Sequence, residues 1–577
     1  MFIKRRSFLV NAGIAAALTS STARLARAQQ SALPVISVAD FGALPNGSDA
    51  GPGVKAAIAR LPKRGGAVLH FPKGTYQFAQ TSGAALLLAG FEGVTVDGSG
   101  SEFVFQGLTV PFLVRDSRTT TLRGFSIDWG RPPYSQGEII GVDPGRRTID
   151  VAVDSRFPVD GSEKIAAISV FEPNTGLAKR GGADIFDPTA VSSVELVRSQ
   201  TLRLNLARQL PLSAGDVLVL RHTGYVAHAL NFDNCVGLRI ADLQIFAAPG
   251  MGAVGHYCKD VSFQHVNVLP RPGSGRMIST SADGIHFGAC AGILTVDSCL
   301  VSGTGDDCIN VNTGYVRLAQ RLDNRTVTVA QRGLFSPAFP PRSGNLYTIS
   351  DGDTFEPITT AVIGGGEISG SLETLHFLSD LPPQVRPGAI LADNTQHPKL
   401  TVSNCKFPGN RARGVLGHSD VTIENCDFAN QTMAAMLFVH GGYWMEGPAI
   451  DRVRIHNNRI SGAQRRGLPS SAAIDIDASV RLTNEGSDRN LGISSHDIEI
   501  SGNTIHDPGG TAILANSAGN LSITNNKLEN TGPDAIILGK VRNVTIAENS
   551  CNPQARISVI PESANQVKFS NNTGLSV

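Results

Sequence analysis

Three aspartates stand out by type and spacing. Thr280-Ser281-Ala282-Asp283-Gly284-Ile285-His286 is followed by Gly303-Thr304-Gly305-Asp306-Asp307-Cys308-Ile309-Asn310, so Asp283 and Asp306 lie 23 residues apart. If one structural repeat has that length, Asp306 stands over Asp283 at a spacing of about 4.8 Å, and Asp307 over Gly284, which has no side chain to block it. Adjacent strand residues point to opposite faces. Asp306 and Asp307 therefore share a site only at a bend, and Gly303-Thr304-Gly305 supplies flexible backbone there. Like charges so close raise at least one pKa, so one acid keeps its proton near neutral pH while the others ionise. A protonated acid beside ionised carboxylates is what cleaving a glycosidic bond requires: a proton for the leaving oxygen and a base for the water. His286, three positions from Asp283, is expected to line the same patch.

The cluster admits other readings. An aspartate ladder at a turn is one, and a calcium site is another. A calcium-dependent polysaccharide lyase needs a Lys or Arg base nearby, and none lies between Arg276 and Arg317. There is no His-Glu-x-x-His, no dense histidine cluster and no phosphate-binding glycine loop. No metal and no cofactor is expected.

The elements that must position these groups show themselves toward the C-terminus. Ile500, Ile523, Ile546 and Phe569 recur every 23 residues, and Asn503, Asn526, Asn549 and Asn572 keep the same step. Each unit reads as a short apolar-polar-apolar strand, an asparagine, then a second short strand such as Ala535-Ile536-Ile537-Leu538. Units of this size without a helix are coils of a parallel β-helix. The asparagines then stack at a turn, a structural role. Similar strands (Gly93-Val94-Thr95-Val96, Gly237-Leu238-Arg239-Ile240, Val421-Thr422-Ile423) extend the β-helix back to about residue 35. The fold class is all-β: a right-handed parallel β-helix interrupted twice.

The interruptions, 132–225 and 317–396, alternate with period two (Arg147-Thr148-Ile149-Asp150-Val151-Ala152-Val153, Asn324-Arg325-Thr326-Val327-Thr328-Val329) and read as small inserted antiparallel, barrel-like β-domains that could wall a pocket. They divide the chain into 35–131 (cap and first coils), 132–225, 226–316 (coils with the aspartates), 317–396 and 397–577 (C-terminal coils). A short helix from Val54 to Leu61 is expected to cap the open end of the first coil.

Residues 1–28 read as an export signal: Lys4-Arg5-Arg6-Ser7-Phe8-Leu9, an apolar run from Ile14 to Leu18, then the small-x-small site Ala26-Arg27-Ala28. The paired arginines point to the twin-arginine route and a periplasmic or secreted protein. No segment approaches the about 20 apolar residues a membrane span needs. With 50 Lys+Arg against 49 Asp+Glu, no net field favours nucleic acid. Aromatics at 6% argue against a long aromatic-lined polymer groove. Cys235, Cys405 and Cys426 each follow an asparagine inside a β-like run, which suggests stacked buried thiols and few or no disulfides.

Asp-Gly-x-His followed by Gly-Asp-Asp resembles the active site of polygalacturonase-like hydrolases. The segments Ser126-Ile127-Asp128-Trp129-Gly130-Arg131-Pro132-Pro133-Tyr134-Ser135-Gln136-Gly137, Asn410-Arg411-Ala412-Arg413-Gly414 and Tyr443-Trp444-Met445-Glu446-Gly447 resemble glycoside hydrolase family 110. The resemblance covers nearly all of the chain after the signal. It implies an exo-acting, inverting α-1,3-galactosidase on a pectin-lyase-like β-helix, with Asp306 as general acid and Asp283 and Asp307 on the water. Its partner would be a carbohydrate ending in α-galactose. Asp128, Trp129, His286, Arg411, Trp444 and Glu446 become candidate sugar contacts, the indoles as platforms for the apolar face of galactose. The uronate-clamping Gly-His-Gly and Arg-Ile-Lys of polygalacturonases are replaced by Gly417-His418-Ser419 and Arg454-Ile455-His456, which favours a neutral sugar. Arg411 or Arg413 binding an acidic or sulfated sugar is the competing reading. An endo-galactanase, a lyase and a non-catalytic glycan-binding β-helix are the remaining alternatives.

Overall fold

A computed structural model describes residues 33–330, 341–369, 372–441, 444–466, 471–479 and 492–577. Residues 1–28, read above as an export signal, and Tyr443 lie outside the described residues. Short strands of alternating burial stack in parallel, coil upon coil. One face runs from Val94–Phe105 through Val236–Ile245, Ala291–Asp297, Lys399–Ser403 and Ser495–Ser501 to Val567–Ser570. A second carries Leu230–Asp233, Ala253–His256, Ile285–Gly288, Ile309–Arg321, Val415–Gly417 and Met436–Gly441. The architecture is a right-handed parallel β-helix. The inward side chains form its core by stacking like on like, as Ile500 on Ile523 and Ile546; Phe569 continues the register in the last coil but is exposed. No helix among the described residues is long and apolar enough to cross a membrane.

The turn between faces has a simple chemical rule. A left-handed residue bends the chain, and the next side chain caps the backbone of a neighbouring coil. Asn525 (φ 56°) precedes Asn526, Gly502 (φ 66°) precedes Asn503, and Asn425 (φ 55°) precedes Cys426. Asparagine and glycine tolerate that conformation best. Asn503, Asn526 and Asn549 each donate from Nδ2 to Oδ1 of the next asparagine at 3.0 Å. Toward the N-terminus the same column turns to sulfur: the backbone N–H of Cys299 donates to Cys405 Sγ and that of Cys405 to Cys426 Sγ, both at 3.4 Å. All eight cysteines are buried free thiols.

The capping helix spans Gly51–Ile58, three residues earlier than its apolar pattern suggested, because Pro52 sets its first turn while Ala59 ends it. The first insertion is a seven-stranded antiparallel sheet, from Tyr134–Asp143 to Val217–Arg221, with its own core. The second closes on itself. Ile309–Arg321, Thr326–Ala330, Leu372–Phe377, Pro357–Ser369, Leu346–Ser350 and Ile390–Asp393 pair in a ring, each with the next and the last with the first. Its first strand starts inside the β-helix, directly after Asp306 and Asp307, and runs out into this barrel.

One expectation is corrected here. The step at the aspartates is 24, since Ile285 pairs with Ile309 and His286 with Asn310. Gly284 N–H donates to Asp307 O at 2.9 Å in the same ladder. Asp307, not Asp306, therefore stacks on Asp283, and Asp306 stands over Ala282. Coil length is free to vary at the turns, so a step measured among the C-terminal coils does not carry to this one.

Candidate active site

Asp283, Asp307 and Arg413 occupy the same position in three successive coils, because Ile309 pairs with Val415 on its other side. All of them lie just before a strand begins, where the chain bends. The bend turns Asp306 to the same side as Asp307, and one oxygen of each aspartate lies within 4.8 Å of the others. Each carboxylate has its own partner. Asp283 Oδ2 is 2.6 Å from His286 Nδ1, and its Oδ1 accepts the Asp307 backbone N–H at 3.2 Å. Asp306 accepts the Tyr225 hydroxyl at 2.6 Å and Arg411 Nη1 at 3.1 Å. Asp307 accepts the Arg413 backbone N–H at 2.9 Å, with Arg413 Nη1 at 3.4 Å.

These environments push the three acids apart. Burial raises the Asp307 carboxyl to about 7; Arg413 opposes the rise, and Asp306 and Asp283 add to it. Burial raises Asp283 as well, against the pull of His286. At Asp306 burial is overcome by Arg411, Arg413 and the Tyr225 hydroxyl, which hold the carboxyl below its usual range. Glu446 is pushed up to about 7 by burial. Burial alone would lower His286, but Asp283 reverses it and the imidazole is raised. The site thus holds both a proton and an ionised carboxylate near neutral pH, the pairing that acid/base chemistry needs. The three carboxylates are also close enough to bracket a cation. Their oxygens are already engaged by a hydroxyl, an imidazole and two arginines, and the guanidinium charges oppose such an ion.

The triad lies at the floor of a cavity of about 820 Å³. Asp184 and Phe186 from the inserted sheet form one wall, Trp444 and Glu446 another. Right handed beta helix region is the family that matches residues 446–574, and Glycosyl hydrolases family 28 matches residues 223–322, the stretch holding all three aspartates. The chain is 28% identical over 477 residues to alpha-1,3-galactosidase A of Shewanella woodyi, covering 76% of this chain and 78% of that protein. It is 27% identical over 464 residues to alpha-1,3-galactosidase B of Bacteroides thetaiotaomicron, covering 74% and 75%. The chain is a glycoside hydrolase of the pectin-lyase-like superfamily. Among solved structures, the family 28 exopolygalacturonase of Yersinia enterocolitica aligns over 94% of this chain and 78% of its own, with 12% identity and a TM-score of 0.42.

Of the residues singled out in the sequence, Asp283, Asp306, Asp307, His286, Arg411, Trp444 and Glu446 line the cavity of this glycoside hydrolase. Asp128 and Trp129 do not, which corrects their reading as sugar contacts. Asp128 is buried between Arg271 Nε at 2.6 Å and Arg276 Nη1 at 2.7 Å. Trp129 is buried against Phe105, and its indole N–H donates to Gly107 O at 2.9 Å. Their segment braces the first insertion: Tyr134 Oη donates to Ile278 O at 2.6 Å, and Gln136 Nε2 to Gly275 O at 2.8 Å. Arg411 reaches the cavity but is held by Asp184 and Asp306. His418 is fully buried, and Arg454 lies at the surface beside Glu499 at 3.6 Å, so neither forms a polygalacturonase-like clamp. Sequence reading missed Tyr225, Asp184 and Phe186. Only Tyr225 left a trace, as the residue where the first insertion hands the chain back to the β-helix.

Proposed function

We propose that this hydrolase removes terminal α-1,3-linked galactose from glycans by a metal-free, inverting acid/base reaction. The observation that carries this is the charge pattern of the cavity. Among the described residues every Lys or Arg lining it is matched to a carboxylate: Lys179 to Asp216 at 2.6 Å, Arg208 to Asp187 at 3.1 Å, Arg466 to Asp184 at 3.7 Å, Arg411 to Asp184 and Asp306, Arg413 to Asp307. A uronate or sulfate would meet no spare Lys or Arg among them, which favours a neutral sugar over an acidic galactan. The relatives named alpha-1,3-galactosidase support galactose and the linkage. The inserted sheet walling one side supports action at a chain end.

The polygalacturonase-like pattern gives the proton to Asp306, with Asp283 and Asp307 on the water. The electrostatics instead keep Asp306 ionised and the proton on its neighbours. Three coupled carboxyls titrate as one group. The triad therefore acts with a single shared proton, which Asp306 delivers to the leaving oxygen. The spacing within 4.8 Å is shorter than the about 6.5–9.5 Å between the two acids of an ordinary inverting pair. With three acids inversion takes another layout: Asp283 and Asp307, stacked side by side, hold the water, and Asp306 gives the proton.

Hydrolysis of α-1,3-galactobiose followed by proton NMR tests the reading. β-Galactose appearing first upholds it; α-galactose first overturns inversion; no galactose withdraws the substrate. An aryl galactoside with a good leaving group separates the roles. Asp306→Asn keeps activity on it if Asp306 is the acid, and Asp307→Asn does not. The reading includes export through the signal over 1–28, checked by finding the periplasmic protein to begin after Ala28.

A further inference from the structure

The last strand of the inserted sheet, Val217–Arg221, ends on a side chain that is 1% exposed and lies against two turns of the β-helix. Arg221 Nη1 donates to two carbonyls, Ser281 O at 2.8 Å and Gly305 O at 2.6 Å. Ser281 is two residues before Asp283, and Gly305 is one before Asp306. The remaining nitrogens, Nε and Nη2, are buried with no hydrogen-bond partner. A buried cation with unmet donors is unfavourable and calls for a reason. The Phe186 ring covers it at 5.2 Å and also takes the Arg411 guanidinium at 4.9 Å. Gly305 completes the fit: a Cβ there would stand 2.4 Å from Ser281 O and 2.7 Å from Arg221 Nη1. Only glycine leaves room for the guanidinium between the two turns.

We infer that Arg221 is a positioning residue that ties the two aspartate-bearing turns together and fixes the offset between Asp283 and the Asp306–Asp307 pair. The inference rests on the reading that these carboxylates act jointly on a glycosidic bond. Both turns are bends, and their paired strands, Ile285–Gly288 and Ile309–Arg321, begin only after the aspartates. Backbone bonds from Gly305 N–H to Thr280 O and from Gly284 N–H to Asp307 O, both at 2.9 Å, join the turns, and the guanidinium adds a side-chain tie at Ser281 and Gly305. The guanidinium spans them from outside the β-helix, so the first insertion governs the geometry of the site as well as its wall.

The test is Arg221→Met, read as kcat and KM on galactobiose per folded protein, together with hydrogen exchange of peptides covering 280–290 and 303–312. A 1 Å misplacement of reacting groups lowers rates about 100-fold, so kcat is expected to fall by that order with KM unchanged. Exchange is expected to quicken in both peptides. Unchanged kcat in a folded variant, or a loss confined to KM, overturns the inference. If Arg221→Met does not fold, Arg221→Lys carries the test, because it keeps a cation but not the planar head. A lower kcat at wild-type KM upholds the role, and a wild-type kcat overturns it. If the wild-type protein leaves galactobiose intact, the functional reading fails separately. Exchange then decides: quickening in both peptides supports the tie, and anything less overturns it.

Discussion

Replacing Tyr225 with phenylalanine removes one hydroxyl and leaves the ring in its edge-on contact with Phe186, 6.0 Å between centroids. That hydroxyl donates to Asp306 Oδ2 at 2.6 Å. A hydrogen bond to a charged group contributes about 1.5–3 kcal/mol. One pKa unit corresponds to about 1.4 kcal/mol, so losing the bond raises the Asp306 carboxyl by about one to two units. Arg411 stays at 3.1 Å and Arg413 still acts on the same carboxylate, which favours the lower figure. The pH profile of kcat/KM reports the coupled triad in the free enzyme. As pH falls Asp307 takes the first proton, Asp283, also raised, the second, and Asp306, held below its usual range, the third, so the lowest part of the acidic limb is governed by Asp306. Its alkaline limb marks loss of the last proton and follows Asp307, near 7. Tyr225→Phe is therefore expected to move the acidic limb up by about one unit and leave the alkaline limb in place, narrowing the bell from below. Galactobiose hydrolysis from pH 3 to 9 supplies the curve. An acidic limb that stays put in a folded variant would refute the reasoning, because Asp306 would then not be the acid held down by this hydroxyl.

Asp307→Asn is expected to abolish hydrolysis yet stabilise the fold at pH 8. A carboxyl raised from 3.8 to about 7 favours the folded state while protonated, and that advantage is lost as pH rises through 7. The loss is at most about 4 kcal/mol. Calorimetry should show the gain at pH 8 and none at pH 4; equal gains at both would rule out the charge as its cause. Asn526→Ala breaks the ladder to Asn503 and Asn549 and should cost about 1–3 kcal/mol in urea unfolding for each buried group left unpaired, with kinetics unchanged. Trp444→Ala removes a 39% exposed indole from the cavity wall; an aromatic contact of about 0.5–1.5 kcal/mol predicts a roughly two- to tenfold rise in KM at constant kcat. Prolonged EDTA treatment should leave kcat unchanged, and recovery on adding calcium after a loss would overturn the metal-free reading.

What the sequence disclosed and what it hid divide along one physical line. Features repeated along the axis could be read, because stacking demands the same residue type at the same place in each coil. The isoleucine columns, the asparagine ladder and the aspartate cluster are of this kind. Contacts that reach the site from outside the stack left no period to detect. Tyr225 and Arg221 arrive from the first insertion; Arg411 and Arg413 belong to the next coil of the stack, but the barrel inserted before them hides their step. The lack of a basic residue between Arg276 and Arg317 was therefore uninformative, since two arginines enter from the next coil. The 23-residue step erred by one at the aspartates because turns absorb extra residues without disturbing the strands. Asp128 and Trp129 were misjudged because a polar-aromatic motif looks the same whether it meets a sugar or braces a loop.

Asp283 and Asp307 are 24 residues apart and Asp307 and Arg413 are 106 apart, yet each pair spans one coil. The length of chain between two rungs is therefore free to change, provided it leaves and rejoins the stack at the same places. For the history of such enzymes this makes the exit after Asp307 a socket. A loop, a hairpin or a whole barrel can be installed there, reshaping what approaches the cavity, while the hydrolytic rungs are inherited unmoved. Diversification of substrate would then proceed by exchange of inserts, and loss of catalysis by slippage of a single turn.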